Sequence, residues 1–346
     1  MSASEVPPLQ RAIRRLATGD SLTADESREA FEAVMSGEAS PAQMSALLVG
    51  LRVKGETADE VAGAAAALRH AMVRLEVDRP DELVDTCGTG GGAVATFNIS
   101  TAAALLAAGA GVRIAKHGNR SFTSQCGSAD VLEALGVPIE VPAAVMERAL
   151  REAGIVFMFA PQMHPAMRHV GPVRRELGIT TVMNIVGPLA NPAGAGRQVV
   201  GVADTRRVPL IAGALRALGT RHALVVHGEP GMDEISPLGP TQVIEIRDGT
   251  VTEWTIEPAR FGFASGRAEE LGGGPPAANA AAVRAVLEGH APPTARAAVL
   301  LNAAAALLVS TAERSFDDAL ERVTEALDRG DGAAALDRLR RAYGAS

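Results

Sequence analysis

From about residue 82 onward, strand-like and helical segments alternate along the chain, and this alternation restricts the possible folds more than any other feature. Such an order is typical of an α/β protein with a mostly parallel sheet. Residues 241–257 add a predicted hairpin that turns at Asp248-Gly249. The predicted strands are 83–87, 112–116, 155–160, 198–203 and 222–227, and the predicted helices between them include 127–135, 143–153 and 205–218.

The first 76 residues, by contrast, carry helical signals throughout. Capping boxes begin at Thr23 and Thr57, and Ser40 is an N-cap followed by proline at the first helical position. The C-terminal third is rich in alanine and is also predicted to be helical. The sequence therefore predicts a small all-helical domain and a larger α/β domain whose mostly parallel sheet is flanked by helices.

The segment DTCGTGGGAVATFNIST, residues 85–101, places four glycines in five positions between a predicted strand and a predicted helix. Glycine loses more conformational entropy on folding than any other residue, so the cluster needs a reason. A bare backbone before a helix N-terminus is well suited to bind phosphate. The segment contains no lysine, which excludes a P-loop. A dinucleotide site is also disfavoured, because basic Arg113 and Lys116 stand where an acidic ribose ligand is expected.

What remains is a phosphate cradle with the side chains of Thr96, Asn98, Ser100 and Thr101 beside it. Lys116 strengthens this hypothesis, because only two of the 33 basic residues are lysines. A compact ammonium at a strand end can bind a phosphate without the bulk of a guanidinium. We expect the other lysine, Lys54, to be a solvated residue near a helix end.

Composition excludes several classes of function. The net charge of −7 disfavours a nucleic-acid-binding surface, which would need basic stripes. The N-terminal residues show no secretory signal, and the apolar run 298–312 is too short to span a bilayer. Two cysteines, Cys87 and Cys126, fit a reducing compartment and are interpreted as small filling residues. The sequence thus predicts a cytoplasmic protein that binds neither nucleic acid nor membrane.

Two further motifs follow predicted strands. After 155–160 come three arginines, Arg168, Arg174 and Arg175, which either clamp an anion or form a solvated helix face. The histidines beside them lack the spacing of a metal pair. After 222–227 come Asp233 and Glu234, which either bind Mg²⁺ together with substrate phosphates or form a solvated acidic turn.

Taken together, these stretches resemble the anthranilate phosphoribosyltransferase family of tryptophan biosynthesis. The matching motifs are GTGG with TFNIST, KHGNRS with GSADVLEALGV, HPAMRHVGPVRRELG with NIVGPLANPA, and HGEPGMDEISPLG. The resemblance implies an N-terminal helical domain, 1–76, with an inserted helical segment at about 168–195. It implies an α/β phosphoribosyl-pyrophosphate-binding domain formed by 77–167 and 196–346, and a homodimer formed through the helical domains.

The resemblance also implies a reaction, in which anthranilate and 5-phosphoribosyl 1-pyrophosphate give N-(5-phosphoribosyl)anthranilate and pyrophosphate with Mg²⁺ as the cofactor. It assigns to phosphoribosyl pyrophosphate the residues Gly88, Gly91, Gly92, Thr96, Asn98, Ile99, Ser100, Thr101, Lys116, His117, Gly118, Asn119, Arg120, Ser121, Ser124 and Ser128. It assigns to anthranilate Gly88, Asn119, Arg174 and His117, and to the metal Ser100, Asp233 and Glu234. Gly92 departs from the family, which usually has Asp there.

Two alternatives share the fold. A pyrimidine nucleoside phosphorylase would carry a phosphate loop of the Lys-x-Ser-Thr-Gly-Gly type, which the sequence lacks. A non-catalytic nucleic-acid-binding relative would be basic and would lack the Asp-Glu pair, whereas this chain is acidic and contains Asp233 and Glu234. Both features favour the transferase.

Overall fold

The structure, a computed structural model, describes residues 6–121, 125–263, 266–310 and 314–344. It divides into two units: a helical unit of residues 1–74, 161–192 and 209–219, and an α/β unit formed by the rest of the chain. The inserted segment thus runs from 161 to 192, where the sequence suggests about 168–195. Residues 209–219 form a second insertion that no sequence motif indicated.

The elements are numbered in chain order. The α-helices are α1 (Pro8–Ala17), α2 (Ala24–Met35), α3 (Pro41–Lys54), α4 (Ala58–Ala71), α5 (Ile99–Gly109), α6 (Ser128–Ala134), α7 (Ala143–Ala153), α8 (Ala160–Met163), α9 (Met167–Leu177), α10 (Val208–Ala217), α11 (Pro276–Leu287), α12 (Pro293–Val309), α13 (Phe316–Asp328) and α14 (Asp331–Ala342). The strands are β1 (Val84–Gly88), β2 (Ile114–Gly118), β3 (Ile155–Phe159), β4 (Arg197–Gly201), β5 (His222–Gly228), β6 (Thr241–Arg247) and β7 (Thr250–Ile256). Short 3₁₀ helices lie at Pro80–Glu82, Val182–Asn184, Gly187–Leu189, Thr205–Arg207, Pro258–Phe261 and Ala268–Leu271.

The predicted helix caps of the helical unit are confirmed. Thr23 and Thr57 both form complete capping boxes, and Ser40 forms a third. The carboxylate of Glu60 is fully buried, and besides the Thr57 N–H it accepts hydrogen bonds from the Leu22 N–H at 2.8 Å and from Lys54 Nζ at 3.0 Å. The expectation that Lys54 is solvated was therefore wrong, because its ammonium neutralises a buried charge.

The α/β unit contains one seven-stranded sheet in the order β3-β2-β1-β4-β5-β6-β7. Strands β1 to β5 are parallel, and β6 and β7 extend the sheet as an antiparallel hairpin. All predicted strands are confirmed, with shifts of a residue or two at their ends. The predicted turn is also confirmed, since Asp248 and Gly249 have φ of 47° and 82°, as a two-residue hairpin turn requires.

Two alanine-rich helices, α5 and α12, fill the core of this unit. Nearly every residue of both is buried, and their small side chains allow close packing against each other and the sheet. Within the described residues, no helix combines the length and apolarity needed to cross a membrane.

Four of the five parallel strands end on a glycine: Gly88, Gly118, Gly201 and Gly228. Because parallel strands share their direction, these glycines lie along one edge of the sheet. Ligands of open α/β sheets bind beyond the carboxyl ends of the strands, which makes this edge the place to look for a site.

Candidate functional site

The strand-end glycines allow an acidic loop, residues 229–236, to lie directly on the sheet edge. A Cβ on Gly201 would lie 1.6 Å from the backbone oxygen of Asp233, and one on Gly228 would lie 2.5 Å from that of Glu234. On Gly88 it would lie 2.5 Å from the Asp233 carboxylate. At Gly201 and Gly228 the overlap is with backbone, so close approach requires glycine, whereas a side chain at Gly88 would have to turn the Asp233 carboxylate away.

The glycine-rich loop of residues 89–98 packs against this acidic loop. Gly90 N–H donates to Oδ2 of Asp233 at 2.7 Å, and Ala93 N–H donates to the carbonyl of Gly231 at 2.8 Å. Gly90 and Gly91 adopt φ of 70° and 80°, which explains why glycine stands there. The N–H groups of Gly91 and Gly92 make no hydrogen bond to any described residue, so they remain available to an anion.

Asp233 and Glu234 are half-buried, and desolvation governs their ionisation. Burial raises the pKa of Asp233, and burial together with the charge of Asp233 raises the pKa of Glu234 well above its usual value. Both carboxylates and Ser100 line one cavity of about 10 Å³, which is about the size of a water molecule. The three residues assigned to the metal are thus brought together at one place.

This arrangement fits a Mg²⁺ ion for which the protein supplies only some of the ligands. Within the described parts of the chain, no group of three or more His, Cys, Asp or Glu side chains is arranged to hold a metal. Mg²⁺ is commonly bound by one or two carboxylates, with water and substrate phosphates supplying the remaining oxygens. A half-buried acid pair beside a hydroxyl matches that requirement.

Lys116 supplies the positive charge of the site. Its side chain is buried, and Nζ donates to the carbonyl oxygen of Thr86 at 2.6 Å and to Oγ of Ser100 at 3.3 Å. Burial lowers the pKa of the ammonium, while the nearby charges of Asp85 and Glu234 oppose that change. The lysine therefore links the start of α5 electrostatically to the acidic loop.

The end of β2 and the loop after it are held by two acids that the sequence analysis did not single out. Buried Asp85 accepts the His117 N–H at 3.2 Å. Asp130 accepts the N–H groups of Ser121 at 3.2 Å and Gly127 at 2.8 Å. The signal for Asp85 was present in the sequence, as a charged residue inside an apolar strand.

Several predicted ligand residues have protein partners in this loop. Arg120 forms ion pairs with Asp130 at 2.8 Å and Glu133 at 2.6 Å, so both carboxylates hold its guanidinium. Ser128 Oγ donates to the carbonyl of Asn119 at 3.4 Å, and a Cβ on Gly118 would lie 2.1 Å from that hydroxyl oxygen. Ser124 lies outside the described residues.

The start of α5 combines buried and accessible positions. Ile99 and Thr101 are buried, whereas Thr96, Asn98 and Ser100 are half-buried. The amide of Asn98 accepts a hydrogen bond from Asn279 at 2.8 Å and donates to the carbonyl of Cys126 at 3.3 Å. The Asn98 side chain therefore joins α11 to the loop that precedes α6. Sequence reasoning missed Asn279, because nothing in its neighbourhood resembles a ligand motif.

Arg174 lies on α9 in the helical unit. Its side chain is half-buried, and burial lowers the pKa of the guanidinium. The guanidinium makes no hydrogen bond or ion pair with any residue that the structure describes. His164, in the same unit, is buried, and burial lowers its pKa to about 4, so the ring is neutral near pH 7.

Cys87 and Cys126 are both thiols. Burial raises the pKa of Cys87 well above its usual value and that of Cys126 to about 11. A protonated thiol is a poor nucleophile, in agreement with the interpretation of both residues as small filling side chains.

Comparison with known proteins gives a consistent result. Residues 80–334 match the family described as "Glycosyl transferase family, a/b domain", and residues 10–72 match its helical bundle domain. The chain is 50% identical to an anthranilate phosphoribosyltransferase of Anaeromyxobacter sp. (strain K), with 98% of each chain covered. A crystal structure of the enzyme from Thermus thermophilus shares 41% identity with a TM-score of 0.90, covering 96% of this chain and 99% of that one. The Saccharomyces cerevisiae enzyme in complex with PRPP and Mg shares 25% identity with a TM-score of 0.88, covering 100% and 99%.

The packing of the acidic loop on β4 predicts that a methyl group added at Gly201 destabilises the protein. Gly201→Ala forces the backbone of Asp233 away from the sheet edge, because its Cβ would overlap that carbonyl oxygen. We expect a loss of about 1–3 kcal/mol of unfolding free energy, measured by urea denaturation. Gly274→Ala is the matched control, since its Cβ would meet only the Ala278 side chain, at 3.4 Å. Equal stability of the two variants would contradict the described packing.

Proposed function

Since the chain belongs to the anthranilate phosphoribosyltransferase family, we propose that it transfers the phosphoribosyl group of 5-phosphoribosyl 1-pyrophosphate to the amine of anthranilate, a step of tryptophan biosynthesis. The observation that carries the proposal is the convergence of an acid pair, a buried lysine and a glycine-rich loop at one sheet edge. These are the groups that a metal-bound diphosphate needs.

The reaction breaks the bond between ribose C1 and the pyrophosphate oxygen, and the electron pair leaves with pyrophosphate. The amine nitrogen forms the new bond to C1, and its proton is lost to solvent. An aromatic amine is unprotonated at neutral pH, so no strong general base is required. The main task of the protein is to hold both reactants in line and to stabilise the charge that builds up on the leaving group.

We assign that task to backbone and side-chain donors of the sheet edge. The available N–H groups of Gly91 and Gly92 would donate to the pyrophosphate, and the Lys116 ammonium would add a positive charge beside Ser100. Asp233, Glu234 and Ser100 would hold Mg²⁺, which when bound neutralises the charge of the diphosphate. The rest of the sugar phosphate would be bound by Gly88, Thr96, Asn98, Ile99, Thr101, His117, Gly118, Asn119, Arg120, Ser121, Ser124 and Ser128.

Two broader features of the proposal concern assembly and location. We propose a homodimer formed through the helical unit, which exposes the apolar side chains of Val53, Val73 and Ile179. We propose the cytoplasm as the location, since both cysteines are thiols.

The direct test is purified protein with phosphoribosyl pyrophosphate and Mg²⁺, following the loss of anthranilate fluorescence. We expect turnover that disappears when the metal is chelated. Uridine with inorganic phosphate serves as the comparison reaction. Folded protein that cleaves uridine and leaves anthranilate unchanged would support the nucleoside phosphorylase alternative and refute the transferase.

Arg174 is proposed to bind the carboxylate of anthranilate, because its half-buried guanidinium has no partner among the described residues. Arg174→Ala should raise the KM for anthranilate about ten- to a hundredfold, as expected for the loss of a charged hydrogen bond. The KM for phosphoribosyl pyrophosphate should change little. Arg175→Ala, at the exposed neighbouring position, is the control. Equal changes in both KM values for Arg174→Ala would assign this residue to the fold alone.

Gly92 lies close enough to Asp233 to influence the metal. A Cβ at position 92 would lie 3.2 Å from Oδ1 of Asp233. Gly92→Asp therefore brings a third carboxylate to the acid pair, and like charges in proximity favour an added cation. We expect tighter binding of phosphoribosyl pyrophosphate and inhibition at high Mg²⁺, seen in initial rates over a Mg²⁺ titration. Gly92→Asn adds similar volume without charge and should not show the inhibition. Superimposable curves for Gly92→Asp and wild type would leave Gly92 a backbone residue.

A further inference from the structure

One polar residue interrupts the most apolar helix of the protein. Between Ala297 and Val309, α12 consists of Ala, Val and Leu except for Asn302. The side chain of Asn302 is buried, at 6% exposure, and it lines the same cavity as Ser100, Asp233 and Glu234. A buried amide in such a helix must satisfy its own donors and acceptor, so its hydrogen bonds reveal what it holds.

Asn302 holds the residue that follows the acid pair. Its Oδ1 accepts the N–H of Ile235 at 3.0 Å, and its Nδ2 donates to the carbonyl of Ile235 at 2.9 Å. The second proton of Nδ2 goes to the carbonyl of Ala298, also at 2.9 Å. The opposite amide orientation would set N–H against N–H and oxygen against two carbonyls, so this orientation is the one that the neighbours allow.

The other anchors of the acidic loop lie on either side of this contact. Upstream, the backbones of Gly228 and Met232 bond to each other in both directions, at 2.7 and 3.1 Å. Downstream, Ser236 N–H donates to Oγ1 of Thr241 at 2.9 Å, and its hydroxyl donates to the Glu229 carbonyl. Asn302 adds a contact from a different element, at the residue adjacent to Glu234. It therefore ties the acid pair to the rigid core helix.

Restraint of the acid pair by Asn302 favours metal binding for a physical reason. Two adjacent carboxylates repel each other when both are ionised, as they are when they bind a metal, so the loop that carries them needs restraint. A metal site works best when its ligands are held in place before the metal arrives. A side-chain amide that mimics a strand partner for Ile235 provides this restraint and adds no charge near the metal.

We propose that Asn302 is a positioning residue that holds Asp233 and Glu234 in the geometry that binds the metal–diphosphate complex. The inference rests on the proposed function, because the cation and diphosphate are those of phosphoribosyl pyrophosphate. Asn302 does not touch the substrate. It acts through the backbone of Ile235, and its loss weakens the response to the metal before it affects anthranilate.

The test uses Asn302→Leu, which keeps the approximate size of the side chain and removes all three hydrogen bonds, and Asn302→Thr, which is neutral and keeps at most one of them. Val323→Ala, a buried truncation on α13, is the control for general destabilisation. For each protein, the half-saturating Mg²⁺ concentration, the KM for anthranilate and the affinity for Mn²⁺ in the presence of pyrophosphate are measured. Mn²⁺ binding is followed by electron paramagnetic resonance, without turnover.

We expect Asn302→Leu to raise the half-saturating Mg²⁺ concentration and to weaken Mn²⁺ binding by about tenfold or more, as the loss of buried hydrogen bonds implies. The KM for anthranilate should stay within about twofold, and Asn302→Thr should fall between Asn302→Leu and wild type. Val323→Ala should match wild type. Should Asn302→Leu not fold, Asn302→Thr decides the question alone. Unchanged metal binding in the folded variants overturns the inference, whereas inactive wild-type protein overturns the proposed function.

Discussion

The contact between the acidic loop and the ends of the parallel strands determines the rest of the site. Asp233 lies with its backbone oxygen on Gly201 and its carboxylate against Gly88 and the N–H of Gly90. This packing brings two carboxylates to the glycine-rich loop, where a cation would make the proximity of their charges favourable. Glycine at positions 201 and 228 is therefore a structural condition for this arrangement, because a side chain there would displace the backbone of the acidic loop.

Charged side chains of both signs and two neutral amides surround this contact. Lys116 donates a hydrogen bond to Ser100 at the start of α5, and the charges of Asp85 and Glu234 favour its protonated form. Asn302 and Asn279 support the edge from the C-terminal helices with neutral amides, one at the acidic loop and one at Asn98. Because these amides are uncharged, the net charge of the site depends only on the lysine, the acids and whatever metal–diphosphate is bound. Binding of a metal–diphosphate would therefore change that net charge strongly.

The sequence predicted what depends on local pattern. Strands, caps and the Asp248-Gly249 turn were found because each has a short-range physical cause. It did not predict side-chain contacts between different elements: Lys54 with Glu60, Arg120 with Asp130 and Glu133, or Asn302 with Ile235. The resemblance named the residues of the glycine-rich and acidic loops. It gave no reason for Gly201 and Gly228, because that reason is the close contact of the strand ends with the acidic loop in the folded structure.

We propose that Asp233 and Glu234 bind the diphosphate of phosphoribosyl pyrophosphate through a shared cation. Isothermal titration of phosphoribosyl pyrophosphate, with and without Mg²⁺, tests it in the wild type and in the double variant Asp233→Asn with Glu234→Gln. The wild type should bind at least about tenfold more tightly with Mg²⁺, which corresponds to about 1.4 kcal/mol. The double variant should lose this enhancement and bind the metal-free substrate no more weakly, since two repelling charges are gone. A double variant that keeps the full Mg²⁺ enhancement would contradict the claim.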